Sequence, residues 1–281
     1  LYFKKKDTAN RKILLNLLEN SNDLMEAVPQ EQHEHWMGRI EKVLGATENK
    51  NIPRSENAGT VVDGNLVMHN GIKVDPLSYY SFPLLKMLME NRGVHEPEEE
   101  KIFHEVLKNL NPEGDKIMLE LGSYWSFYSM WFLSLFPEAK TFMAELDRKN
   151  LLYGKRNFEI NQRKGKFIYA GIGNKHSPQS NITTVDEICL RQKIPFLDIL
   201  HSDIQGYELQ MLEGSTAMLS GDKIGYIFIS THSNELHQQC LDFLINYNFA
   251  EVANVDLDQS SSWDGILVMK STNYEGISKV N

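Results

Sequence analysis

The chain has 281 residues, of which 41% are apolar, 24% charged and 10% aromatic, proportions that exclude a disordered or collagen-like chain. Twenty-nine Lys and Arg against 38 Asp and Glu leave a formal charge of −9. Affinity for phosphate backbones comes from cations that displace counterions, so nucleic acid is not an expected partner.

No apolar run reaches the roughly 20 residues that cross a bilayer, so no membrane partner is expected either. Leu1-Tyr2-Phe3 followed by Lys4, Lys5 and Lys6 is too short and polar for a secretory signal, and is set aside from fold reasoning. The two cysteines, Cys189 and Cys240, lack C-x-x-C spacing. A disulfide framework or Cys-based zinc site is therefore not expected, and a cytoplasmic location is.

Two helical patterns open the chain, one at Ile13, Leu14, Leu17, Leu18 and Leu24, the other at Trp36, Ile40, Val43 and Leu44. The polar stretch 48–55, with Pro53, reads as a linker. Strand-like runs at 60–62 and 66–68 meet at Asp63-Gly64-Asn65, and Asn70-Gly71 leads into 72–74, which predicts a small hairpin or meander. Helices follow over 81–91 and 97–110; Pro97 and three glutamates suit the start of the second. Residues 1–91 are expected to form a helical and β-hairpin extension, a lid or a contact between copies in a homo-oligomer, ahead of a main domain over 92–281.

From Lys116 strands alternate with helices. The pattern predicts strands at 116–121, 140–145, 166–170, 197–203 and 225–230, and helices at 126–135, 148–161, 183–192, 207–219 and 235–247. Such alternation implies a parallel sheet covered on both faces. The last two strand-like runs, 250–255 and 265–269, are joined by a polar stretch too short for a parallel crossover of about a dozen residues, so they form an antiparallel hairpin. The expected fold class is α/β and Rossmann-like: a mostly parallel seven-stranded sheet with a C-terminal antiparallel hairpin. Ending in that way, the sheet favours methyltransferases over nicotinamide dehydrogenases.

The first strand ends Glu120-Leu121-Gly122-Ser123, an acid and a glycine at a turn where the backbone approaches a ligand closely. G-x-G-x-x-G is absent, so a pyrophosphate does not belong here. The second strand ends Glu145-Leu146-Asp147, and an acid in that place accepts the hydroxyls of a ribose. The third leads into Ala170-Gly171-Ile172-Gly173, whose glycines permit a flat approach by a base ring. The fourth carries His201 and Asp203, two apart and so on one face of a strand. The fifth delivers Thr231 and His232 to the same edge, where carboxylate and imidazole can act as base and orienter or as metal ligands. His237 falls on the following helix and reads as a surface residue.

With these residues in view, the chain resembles an FkbM-family, class I S-adenosylmethionine-dependent methyltransferase over roughly 92–270. The resemblance is carried by Ser202-Asp203-Ile204-Gln205-Gly206-Tyr207-Glu208 running to Leu212-Glu213-Gly214, by Gly93-Val94-His95-Glu96-Pro97, by Asn157-Phe158-Glu159-Ile160-Asn161, and by Trp263-Asp264-Gly265-Ile266-Leu267-Val268. It implies that Glu120, Gly122 and Ser123 hold the amino-acid end of the cofactor and Glu145 its ribose. It places Leu146, Gly171 and Ile172 along the cofactor and Asp203 beside the methyl group. The family pattern Asp-x-Gly-Ala-Asn-x-Gly is altered in the first turn, where Glu120, Ser123, Tyr124 and Ser126 replace its Asp, Ala, Asn and second Gly. The aromatic run 124–128 either lines an acceptor pocket or packs the first helix.

The expected reaction is O-methylation of a hydroxyl on a small-molecule acceptor, with sugars and glycosylated metabolites as the class the resemblance implies. His232 is the expected base, His201 its substitute and Asp203 the orienter. A metal-assisted variant has Asp203, His201 and His232 around a divalent ion. The competing accounts are an NAD-dependent oxidoreductase and a non-catalytic nucleotide-binding protein on the same fold.

Overall fold

The computed structural model describes residues 2–20, 23–79 and 81–280, with the side chains of 2–7, 19 and 20 outside the described part. Leu1 lies outside it as well, and with it part of the Leu1-Tyr2-Phe3 start. The chain divides into two compact units, Leu1–Lys101 and Ile102–Asn281.

In the first unit, α1 (Tyr2–Asn20) and α2 (His33–Leu44) follow the two apolar stripes. Leu14 and Leu17 are buried on one, Ile40 and Val43 on the other. A three-stranded antiparallel sheet follows: β1 (Val61–Val62), β2 (Asn65–Val67) and β3 (Lys73–Val74). Asp63 and Gly64 both take positive φ, 51° and 74°, the two-residue turn that matches strand twist in a tight hairpin. Helix α3 (Phe82–Glu90) has Pro83 in its first turn, and α4 (Pro97–Lys108), whose first residues end this unit and whose last seven begin the second, opens on Glu98, Glu99 and Glu100.

The second unit is built on a seven-stranded sheet of β4 (Ile117–Leu121), β5 (Lys140–Glu145), β6 (Lys166–Tyr169), β9 (Leu197–Ser202), β10 (Ile224–Thr231), β11 (Phe249–Val255) and β12 (Gly265–Ser271). Their spatial order is β11-β12-β10-β9-β4-β5-β6, and only β12 runs antiparallel to its neighbours. The central strands are mostly apolar without alternation because both faces of the sheet are buried there. The covering helices are α5 (Phe127–Leu135), α6 (Arg148–Ile160), α7 (Val185–Gln192), α8 (Glu208–Glu213), α9 (Thr216–Ser220) and α10 (Asn234–Ile245). The chain leaves β4 in one direction for β5 and β6, and later returns on its other side with β9. The reversal leaves a crevice at the carboxyl ends of β4 and β9, the place where open α/β sheets bind ligands.

Two features differ from the sequence expectation. The helix predicted over 207–219 breaks at Gly214 and Ser215, because the Asp186 carboxylate on α7 accepts the N–H groups of Ala217 and Met218 and so caps a new helix, α9. Two short strands, β7 (Gly171–Ile172) and β8 (Ile182–Thr183), form a small parallel pair too brief to show a period in sequence.

Candidate active site

The turn after β4 is shaped by what must pass beside it. Gly122 has φ 65°, and a Cβ on it would lie 1.7 Å from the carbonyl oxygen of Asp203. The glycine admits the loop that leaves β9; Asp203 N–H donates to Leu121 O at 3.0 Å and pins the two strand ends together. Ser123 N–H donates to Ala144 O at 3.0 Å and ties the same turn to β5. Its hydroxyl is buried and has no hydrogen-bond partner among the described residues. From α6, the buried Asn157 amide donates to Trp125 O at 3.1 Å.

Glu120 points into the core. It is buried, and its Oε2 accepts the Ser129 N–H of α5 at 3.1 Å. Burial pushes its carboxyl up to about 7, against the opposing pull of His201 and the Ser129 bonds. Glu145 stands at the end of β5 with both oxygens engaged: Oε2 accepts Tyr124 N–H at 2.9 Å and Oε1 accepts Asp147 N–H at 2.7 Å. Burial raises its pKa while those backbone donors oppose the rise. Leu146, beside it, is 49% exposed, unusual for so large an apolar side chain. A Cβ on Gly171 would come within 3.2 Å of Leu146 Cδ2, so the glycine keeps a flat apolar surface there with the buried Ile172 next in the chain.

This edge fits an adenosyl cofactor. The Glu145 carboxylate, fixed by backbone donors at the end of β5, is placed to accept a ribose hydroxyl, Leu146 and Gly171 offer a platform to a base, and the Ser123 hydroxyl, without a partner among the described residues, lies in the turn facing the switch point.

The second cluster centres on His232. Its Nδ1 lies 3.1 Å from Glu208 Oε1, and its Nε2 lies 3.3 Å from both Asp203 Oδ1 and Asp264 Oδ1. Burial opposes a charge on the ring, but the bonds to Asp203 and Glu208 and the charge of Asp264 overcome it, and its pKa is pushed up to about 10. The ring is an imidazolium at neutral pH. Glu208 is wholly buried and also accepts the N–H groups of Ile204 and Gly206, at 3.3 and 3.1 Å, so it ties the loop after β9 to His232. Asp203 accepts Gln205 Nε2–H at 2.8 Å and keeps 33% of its side chain exposed.

His201 does not join this cluster. β9 ends at Ser202, so Asp203 already belongs to the loop and the strand alternation that would align the two stops short. The His201 ring is buried among Tyr128, Phe103 and Phe228, with centroids 4.2, 6.2 and 6.2 Å away, and its strand partner is Glu120. Asp203, His201 and His232 therefore do not converge as a ligand set. Among the described residues no group of three or more His, Cys, Asp or Glu is arranged to hold a metal ion. Trp125, Phe127 and Tyr128 are buried, their rings packed against one another at the start of α5. His237 is buried rather than on the surface, bonded to Thr231 Oγ1 at 2.8 Å and Asn254 Oδ1 at 2.7 Å. Both cysteines are buried free thiols. No helix among the described residues is long and apolar enough to cross a membrane.

Glu208, Asp264 and Asn157 are the site residues that motif reading left without a role. Each stands inside a quoted motif, and the signal available was a carboxylate or amide at a fixed offset from a glycine or strand end, which tells neither partner nor direction.

A family model described as "Methyltransferase FkbM domain" matches residues 69–251, more than half of the chain. A search of the curated proteins finds no match. Among solved structures, the METTL16 MTase domain is similar at 12% identity with a TM-score of 0.48, covering 75% of this chain and 87% of that one. Precorrin-6y C5,15-methyltransferase from Geobacter metallireducens GS-15 is similar at 14% identity and TM-score 0.44, over 61% of this chain and 89% of that one. M. capricolum TrmK, solved with S-adenosyl-homocysteine, is similar at 13% identity and TM-score 0.41, over 61% and 68%.

Proposed function

This chain belongs to the FkbM methyltransferase family, and we propose that it methylates a hydroxyl of a small molecule such as a sugar or glycosylated metabolite, with Asp203 receiving the proton. The observation that carries the reading is the position of Asp203: at the switch point, against Gly122, partly exposed, and backed by an imidazolium. The family membership stands against the nicotinamide oxidoreductase alternative.

S-adenosylmethionine, when bound, supplies a sulfonium-activated methyl group. Glu145 would accept the ribose hydroxyls, and Leu146, Gly171 and Ile172 would flank the base. Gly122 and Ser123 border the amino-acid end. Glu120, buried and bonded to α5, acts on that end through the turn it braces.

The chain's further task is to aim an acceptor oxygen along the methyl–sulfur axis, and alignment of this kind supplies about 7–11 kcal/mol. An imidazolium has no lone pair for a proton, so the base role expected of His232 passes to Asp203. A carboxylate would suffice: an acceptor hydroxyl that gains the methyl group as the methyl–sulfur bond breaks becomes far more acidic than a free alcohol and can release its proton to a weak base. His232, held by Glu208 and Asp264, fixes the carboxylate's direction.

The test is Asp203→Asn, an isostere that cannot take the proton. Turnover with a hydroxyl acceptor is expected to fall by roughly 100-fold or more, while S-adenosylmethionine affinity measured by calorimetry stays within a few fold. Undiminished turnover would remove Asp203 as base; loss of cofactor affinity would mark it as a cofactor contact instead.

A further inference from the structure

The net charge of −9 hides a strong local imbalance. Residues 147–166 carry seven Lys and Arg against two acids, Asp147 and Glu159, so the remainder of the chain is more acidic than the total suggests. On α6, Arg148, Lys149, Lys155 and Arg156 are all exposed, the last three lying one, seven and eight residues after the first, a spacing that lines one face of a helix. Leu152 sits at the centre of that face, within one turn of each cation, and is 52% exposed. Past the helix the basic run continues through Arg163 and Lys164 to Lys166 on β6, the edge strand of the sheet. Lys166 on its own is explained as a guard of that open edge. Guarding an edge does not account for the cations of α6, which lie on the helix.

The cations are presented on a firm base. Arg148 lies 4.7 Å over the ring of Tyr169, Lys149 5.7 Å over Tyr153 and Lys155 5.8 Å over Phe167. Screening limits the reach of the acidic remainder to about 8–10 Å at physiological salt, so a partner touching this face meets a positive surface.

We infer that the exposed face of α6 docks on an anionic membrane surface, which revises the expectation of no membrane partner, since that rested on the lack of a spanning run and docking needs none. Two observations select a membrane over nucleic acid. A single strand needs free aromatic faces to stack on, and here each aromatic beneath the patch already has a cation over its ring. A phosphate backbone also has no use for Leu152, whereas a leucine ringed by cations is the arrangement by which a surface helix enters the boundary between headgroups and acyl chains. The inference stands apart from the methyl-transfer reaction.

The experiment is co-sedimentation of the purified chain with phosphatidylcholine vesicles, with and without one third phosphatidylglycerol. Binding is expected to the anionic vesicles alone and to be lost in high salt. Lys155→Glu with Arg156→Glu should weaken it roughly tenfold or more. Leu152→Ser, which leaves every charge in place, should weaken it severalfold at low salt. Circular dichroism melts of the variants confirm that they fold. Absence of binding to anionic vesicles would overturn the inference, as would wild-type binding by the charge-reversed variant. Binding of single-stranded RNA that exceeds vesicle binding and ignores Leu152→Ser would also overturn it and reassign the face to nucleic acid.

Discussion

Tyr124 and Ser126 occupy the left-handed region, at φ 44° and 62°, in the turn that faces the switch point. The family pattern places Asn and Gly there, residues that tolerate this region; an ordinary side chain is disfavoured in it by about 1–2 kcal/mol. The substitutions read from the sequence thus become legible as backbone strain only once the angles are known. Ser126 is wholly buried, its hydroxyl has no partner among the described residues, and a Cβ added to Gly154 on α6 would lie 2.5 Å from that oxygen. Ser126→Gly relieves the angle and removes a buried unpaired hydroxyl. It should stabilise the chain by about 1 kcal/mol, raising the thermal midpoint by roughly 2–4 °C in a calorimetric scan. A lowered midpoint would show that the hydroxyl has a native partner. His232 teaches a related lesson: its place at the edge was visible in sequence, but its charge was set by Asp203, Glu208 and Asp264, which arrive from two other chain segments.

At the level of elements, the turn after β4 and the loop after β9 cross at a single glycine. A methyl group on Gly122 would collide with the Asp203 backbone and also hold an unfavourable φ. Gly122→Ala should cost about 3 kcal/mol or more, read as a lower urea midpoint. Gly64 makes the control: its φ of 74° is also positive, but nothing lies within 4 Å of an added Cβ, so Gly64→Ala should cost only about 1 kcal/mol. Equal costs would mean that the crossing of strand ends is looser than the geometry implies. The central strands and α5 were readable as short apolar runs between turn signals, and α6 and α10 by an apolar period of 3.6 residues. The break between α8 and α9 was hidden, since the cap that causes it comes from Asp186, some 30 residues earlier in the chain.

Across the whole molecule, buried titrating groups set the pH dependence of stability. In the first unit His95 lies between Glu96 Oε2 at 3.1 Å and Glu100 Oε1 at 2.5 Å. Burial opposes its charge, the two carboxylates overcome it, and its pKa rises from 6.5 to about 10. His232 behaves alike. The stability each imidazolium contributes is full below 6.5 and drains away as pH climbs through about 10. Glu120 adds the same sign: a carboxyl raised from 4.5 to about 7 favours the protonated fold, an advantage full below 4.5 that drains away as pH climbs through about 7. Glu100, held below its usual range despite burial by His95 and His69, acts oppositely, and its contribution is lost only as pH falls below 4.5. The thermal midpoint should therefore peak at acidic pH, about 4.5–5, and decline steadily toward about pH 10. A flat or rising profile across that range would contradict the buried imidazolium pairs.

The sequence by itself determined the sheet, its antiparallel close and the edge at which Glu145, Asp203 and His232 gather, because those follow from local periodicity and from the order in which strands are laid down. Tertiary structure alone decided what the residues at that edge do. It turned Glu120 and His201 into the core and surrounded His232 with carboxylates. Burial and the charges of distant segments govern a proton's affinity, and neither quantity exists until the chain has folded.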